Sequence, residues 1–237
     1  MTASNAREIA ATIEHTLLRP EATAHEIDAV CDEAVRFGFA GVCVNPVYAR
    51  RAANRLSTLG KSSTTAGAPF VVAAVGFPLG AHRSDTKADE ARRALDDGAT
   101  EIDMVALMGA LIGGDAKSVR ADIAAVAKVV HRPGGRSLLK VILETTVLTL
   151  DQLILGCRCC AEGEADFVKT STGFHPSGGA TVEHVRLLNR YASPMQVKAA
   201  GGIRTAAQVR AMLEAGAVRI GTSSGVAILK DLPAPVP

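Results

Sequence analysis

Ser137-Leu-Leu-Lys-Val-Ile-Leu-Glu144, then Thr149-Leu-Asp-Gln152, then Asp166-Phe-Val-Lys-Thr170 reads as strand, helix, strand. The two flanking runs are short and mostly apolar, as strands covered on both faces are. Between them Leu150, Leu153, Ile154, Cys157 and Ala161 form one helical stripe, and Thr149 with Gln152 fits a capping box. The same unit recurs outward in both directions. Strand-like runs lie at 12–17, 40–45, 70–76 and 100–107 on one side and at 195–199 and 218–221 on the other. Helix-period stripes separate them, such as Ile27, Val30, Ala34 and Phe37, or Val119, Ile123, Val126 and Val130. Thr205 to Gln208 repeats the capping box, and Gly98 and Gly216 stand where helices should stop. Strand-helix units of about thirty residues are the size and order of a (β/α)8 barrel, an α/β fold. The expected organisation is a single TIM-barrel domain over residues 1–237, with 230–237 a frayed tail. An open doubly wound sheet is the competing architecture, because alternation alone does not reveal closure.

The bulk properties narrow the function. The chain of 237 residues is 48% hydrophobic and 21% charged, with a net charge of +2. That balance supplies no long-range field for nucleic acid or an anionic membrane. Six phenylalanines, two tyrosines and no tryptophan argue against a stacking platform for single strands. No apolar run reaches the roughly eighteen residues of a membrane span, and the start lacks a secretory core, so the cytoplasm is the expected location. The expected partners are small molecules, with neither nucleic acid nor membrane, and the expected assembly is a homo-oligomer, a dimer. Five cysteines without a signal peptide do not suggest a disulfide framework. Cys157 and Cys160 have redox or metal spacing, but Cys31 and Cys43 supply no second pair and the cluster continues an apolar stripe, so packing is the expected role.

In barrels of this kind the active site lies at the C-terminal ends of the strands. The ends of the predicted strands carry His15, Asn45, Asp103, Glu144, Lys169 and Lys198. Lys169 and Lys198 would close neighbouring strands six and seven. A desolvated amine beside a second ammonium loses its proton more readily, and the neutral amine is the nucleophile that forms a Schiff base. The alternative is that each lysine binds a phosphate or pairs with a carboxylate. Asp103 on strand four could face Lys169 and move protons, or could be a structural partner of a lysine. Lys140 and Glu144 have the parity to share one face of strand five, where an ion pair supporting the others is the expected role.

Three loops follow strands six, seven and eight: Thr170 to Gly173, Gly201-Gly202, and Gly221-Thr-Ser-Ser-Gly225. Such loops offer backbone N–H groups to an anion, and phosphate sites recur after strands seven and eight in this fold. His15 reads as a hydrogen-bonded orienter, and Cys43 as a pocket or packing residue. No histidine and carboxylate cluster has metal spacing, so neither a metal nor a cofactor is expected.

Taken in order, the segments at 13–18, 41–46, 75–80, 101–105, 139–145, 167–174, 197–205 and 219–225 resemble the Schiff-base (class I) deoxyribose-phosphate aldolase family along nearly the whole chain. The resemblance implies a (β/α)8 barrel that reversibly cleaves 2-deoxy-D-ribose 5-phosphate to D-glyceraldehyde 3-phosphate and acetaldehyde, in deoxyribose phosphate breakdown. It implies Lys169 as the Schiff-base lysine, Lys198 as the residue that lowers its pKa and takes part in proton transfer, and Asp103 as proton donor and acceptor through a bound water. Thr172, Gly173, Gly201, Gly202, Ser223 and Ser224 would bind substrate and phosphate. The chain departs from some members at Phe174, where a basic residue can follow the glycine, and in its proline-rich tail, which lacks a terminal tyrosine. A phosphosugar isomerase or synthase without a covalent intermediate, and a noncatalytic phospho-ligand binder, are the competing functions on the same barrel.

Overall fold

The computed structural model describes residues 3–60 and 69–232, with side chains from residue 6 onward. Eight parallel strands close into a barrel in sequence order. They are β1 (Ile13–Leu17), β2 (Gly41–Val44), β3 (Phe70–Val75), β4 (Glu101–Val105), β5 (Leu138–Ile142), β6 (Phe167–Lys169), β7 (Gln196–Ala200) and β8 (Arg219–Thr222). Closure is made by β1 on β8, with Ile13 opposite Ile220 and His15 opposite Thr222. That pairing excludes the open sheet. Of the expected frayed tail at 230–237, Lys230 ends the helix Gly225–Lys230 and the Asp231 and Leu232 N–H groups bond back to Ala227 and Leu229, while 233–237 lie outside the described residues.

Helices follow each strand and pack outside the ring, and a further helix, Ala3–Ala10, precedes β1. Both expected capping boxes are present at Thr149 and Thr205, and a third stands at Thr23 with Glu26. Gly98 and Gly216 follow helix ends with φ of 100° and 111°, values that a side chain would oppose. The helix Leu150–Glu162 buries Leu153, Gly156, Cys157, Cys159 and Cys160, whereas Leu150 is exposed. The stripe is therefore rotated from the Leu150–Ile154–Ala161 line, towards the side where the small Gly156 lets the helix approach Leu143 and Leu111. All five cysteines are free and buried, and desolvation raises the Cys157 thiol to about 12.

The apolar core is the shell between helices and strands, formed by residues such as Ile27, Val42, Ile102, Ile123, Val141, Val168 and Ile220. Burying such a side chain contributes roughly 1.5–3 kcal/mol. Inside the ring a small apolar cluster, Leu18, Cys43, Val72 and Ala74 with Phe70 and Phe77 against it, sits beside a charged network, and the Phe167 ring lies against Lys140.

Candidate active site

Alternation along each strand sends Glu14 of β1, Glu101 and Asp103 of β4, Lys140 of β5, Lys169 of β6 and Lys198 of β7 into one contact network within the ring. The register explains their meeting. Asp103 lies opposite Lys140, and Lys169 opposite Lys198. Asp103 Oδ2 accepts from Lys169 Nζ at 2.7 Å and from Lys198 Nζ at 2.6 Å, while Oδ1 accepts from Lys140 Nζ at 3.1 Å. Lys198 also donates to Glu14, and Lys140 pairs with Glu101. Glu14 stands between Gly41 and Gly221 in register. A Cβ at Gly221 would lie 3.2 Å from Lys198 Cε, so the missing side chain gives the lysine its path across β8.

These groups are almost wholly buried, and their charges decide each other's protonation. Burial opposes charge on Asp103, but the Lys140, Lys169 and Lys198 ammoniums outweigh it and hold the carboxyl well below the usual range. Burial likewise opposes charge on Lys198, yet Asp103 and Glu14 push its pKa up, so it is a fixed ammonium beside Lys169. Lys140 is raised for the same reasons. Glu101 is raised because desolvation prevails over its Lys140 partner, with the Glu14 charge adding to it. Cys43, also in the interior, is pushed up to about 11 by burial and then by Asp103, so it is a neutral thiol at ordinary pH.

Above this lattice lies a cavity of about 390 Å³, and Lys169 is the one member of the charged network that lines it. Thr172, Gly173, Gly201, Gly202, Ser223 and Ser224 all line it too, so the loops after β6, β7 and β8 share one wall. Their backbones nearly touch: a Cβ at Gly179 would lie 2.3 Å from the Gly201 oxygen, and Gly201 itself has φ of 94°. Thr170 ties the first loop to β7, its hydroxyl donating to the Ala200 oxygen and accepting from the Ala200 N–H, both at 3.0 Å. Phe174, half-exposed, stacks edge-on to Phe77 with centroids 5.1 Å apart.

Several expected placements need correction. His15 does not end β1; the strand runs to Leu17, so Glu14 and Thr16 face inward and His15 faces the helices, bonded to Glu33 at 2.7 Å and against the Phe39 ring. Lys140 and Glu144 do not pair. The strand stops at Ile142 and the backbone turns left-handed at Glu144, which sends that carboxylate to Thr172 while Lys140 keeps Glu101 and Asp103. Asn45, beyond β2, donates to the Leu18 oxygen. Asp103 touches Lys169 directly. Glu14 and Glu101 were absent from the strand-end candidates because they lie at the starts of their strands; Glu101 could have been found by parity, two residues before Asp103. Arg19 and Arg204 also line the cavity and give it positive charge where Phe174 supplies none.

Comparison with known proteins places this arrangement. The chain is 51% identical over 224 residues to the deoxyribose-phosphate aldolase of Thermococcus gammatolerans, covering 94% of this chain and 96% of the relative. It is 48% identical over 219 residues to that of Brevibacillus brevis, covering 92% and 93%. The tetrameric deoxyribose phosphate aldolase of Aeropyrum pernix superimposes with a TM-score of 0.84 at 32% identity, over 94% of this chain and 91% of that one. Residues 9–232 match the model of the DeoC/LacD family aldolases, and with relatives this similar along almost its whole length the chain belongs to that family.

Proposed function

We propose that this protein is a Schiff-base deoxyribose-phosphate aldolase, a carbon-carbon lyase that interconverts 2-deoxy-D-ribose 5-phosphate with D-glyceraldehyde 3-phosphate and acetaldehyde. The observation that carries the residue assignment is access. Lys140 and Lys198 are sealed beneath the cavity at 0% exposure, whereas Lys169 reaches it.

In this reading the Lys169 amine attacks C1 of the open-chain sugar, and the carbinolamine loses water to give the iminium. The iminium draws the electrons of the C2–C3 bond as the C3 hydroxyl loses its proton. Glyceraldehyde 3-phosphate leaves, and acetaldehyde stays on Lys169 as the enamine. Protonation at C2 and hydrolysis release it. Asp103, ionised and in contact with both amines, accepts and returns protons at these steps. Lys198 supplies a fixed positive charge beside Lys169, held on the same Asp103 oxygen. Gly173, Gly201, Gly202, Ser223 and Ser224 hold the phosphate. Borohydride reduction in the presence of acetaldehyde tests this directly: mass spectrometry of the digest should find a two-carbon group on Lys169. An isomerase, a synthase or a binder gives no such adduct.

The same reading carries a cytoplasmic location and a homodimer. Sedimentation velocity checks the assembly, with a tetramer, the form of the Aeropyrum pernix relative, as the contrary outcome.

A further inference from the structure

Among the described residues only Glu144 and Glu164 combine a side chain with positive φ, at 47° and 64°. Glu164 is exposed just past the helix Leu150–Glu162, where a left-handed residue commonly ends a helix. Glu144 is buried at 4% exposure. The left-handed conformation is costly for a residue with a Cβ and persists only where the surroundings enforce it.

The surroundings are unusually firm. Leu143 N–H donates to the Lys169 oxygen at 3.0 Å and Thr145 N–H to the Thr170 oxygen at 2.9 Å, so the β5–β6 ladder continues on either side of residue 144. The turn between those two rungs aims the carboxylate at the loop beyond Lys169. There its two oxygens lie 3.3 and 3.2 Å from the Thr172 nitrogen, and Oε2 accepts the Thr172 hydroxyl at 2.5 Å. The same hydroxyl oxygen accepts from Phe174 N–H at 3.1 Å. Thr172 therefore gives its one hydroxyl proton and its N–H to Glu144, and Gly173 is bracketed by the two bonds. A Cβ on Gly173 would lie 3.4 Å from Gly201 Cα, so the bracket also sets the spacing of two cavity walls.

We propose that Glu144 is a positioning residue for phosphate recognition: its carboxylate, clamped on Thr172, holds Gly173 against Gly201 so that this wall meets the substrate's phosphate already formed. The inference rests on the aldolase reading above. Glycine would relieve the backbone at 144 but could not make the clamp, which accounts for a glutamate at a position where the chain geometry favours glycine.

The test is steady-state kinetics of Glu144→Ala, Glu144→Gln and Glu144→Gly on 2-deoxyribose 5-phosphate and on unphosphorylated 2-deoxyribose, with borohydride trapping of acetaldehyde at Lys169 alongside. Glu144→Ala should raise KM for the phosphorylated sugar roughly tenfold, the scale of a lost charge-assisted hydrogen bond, with a smaller fall in kcat. KM for deoxyribose should move by less than about twofold. Glu144→Gln, which keeps an acceptor for the hydroxyl, should fall between wild type and Glu144→Ala. Glu144→Gly, at ease at this φ, should still show the rise and so separates the clamp from a folding defect. An equal KM change on both sugars, an unchanged KM in Glu144→Gly, or a KM below wild type in Glu144→Gln overturns the proposal. A wild-type protein that forms no Lys169 adduct and does not cleave the phosphorylated sugar overturns the aldolase reading, and this inference with it. A wild type that does both leaves the behaviour of the variants to be decided by Glu144 alone.

Discussion

Lys87 and Lys169 are both buried in the body of this barrel, and their counter-charges differ. Lys87 lies outside the ring on the helix Ser84–Asp96, fully buried, with Asp122 at 2.7 Å and the Val105 oxygen at 3.0 Å. Ser84 holds the other Asp122 oxygen at 2.8 Å. One cation has one anion of its own, fixed by neutral groups. Burial still pulls the Lys87 pKa below the ordinary lysine value, with Asp122 offsetting part of the cost. Inside the ring, Lys169 divides one carboxylate with Lys140 and Lys198. The first arrangement fastens a helix to the end of β4. In the second, Asp103 can follow a proton from one amine to another without moving far. Burial alone does not distinguish a structural lysine from a reactive one; the sharing of the counter-ion and access to a cavity do.

The widest separation should come from removing each lysine. Lys169→Leu should lower deoxyribose 5-phosphate cleavage by roughly 10⁴-fold or more, as removal of a covalent catalyst does, and abolish the borohydride adduct. Lys87→Met should keep the adduct and instead lose roughly 3–5 kcal/mol of stability by orphaning Asp122, measured by urea denaturation. If Lys87→Met lost the adduct while still folded, the contrast would collapse.

Next come the carboxylates. Asp103→Asn removes the proton carrier and should cost about 10²–10⁴ in kcat. Asp122→Asn should destabilise by a few kcal/mol while changing kcat per folded molecule less than about threefold. The combined replacement Lys87→Met with Asp122→Leu should recover most of that stability, because a packed apolar pair can replace a buried ion pair.

A third effect is pH dependence. Asp103 is held below its unfolded value of about 3.9, so its contribution to stability is present above that pH and lost as pH falls through the folded value. Lys198 is raised above its unfolded value of about 10.4, so its contribution is complete below that pH and lost as pH rises through the folded value. The urea-midpoint difference between wild type and Lys198→Met should be flat from about pH 5 to 10 and narrow above. A difference already narrowing near neutrality would show that Lys198 is not a fixed cation. The smallest effect concerns Cys43. With its thiol at about 11, iodoacetamide at neutral pH should leave it unmodified in the native protein and alkylate it after unfolding.

Much of this architecture was legible in the sequence, for identifiable reasons. Buried parallel strands write themselves as apolar runs, and Lys169, Lys198 and Asp103 stand out because a charge in such a run needs an explanation, although only Lys169 ends its strand. Closure was not legible, since the pairing of Ile13 with Ile220 joins opposite ends of the chain. Glu14 was hidden by parity: within the run at 12–17 His15 was singled out in place of its neighbour, and one residue along a strand exchanges inside for outside. The clamp of Glu144 on Thr172 depends on a backbone angle that residue identity does not announce. Lys87 and Asp122 sit in helices among many exposed charges, and only packing tells them apart from the rest.

The interior lattice has a consequence for how relatives of this chain can diverge. It holds three lysines and three carboxylates in a volume that admits little solvent. A single exchange that deletes or inverts one charge leaves another without its complement, at a cost comparable to the margin by which the protein is folded. Substitutions at Glu14, Glu101 and Lys140 should therefore be accepted in compensating pairs, a neutral residue at 101 travelling with a neutral residue at 140. The loops above are held by backbone instead, by the approach of Gly179 to Gly201 and the Glu144 clamp on Thr172, so exchanges there meet shape where those in the lattice meet charge.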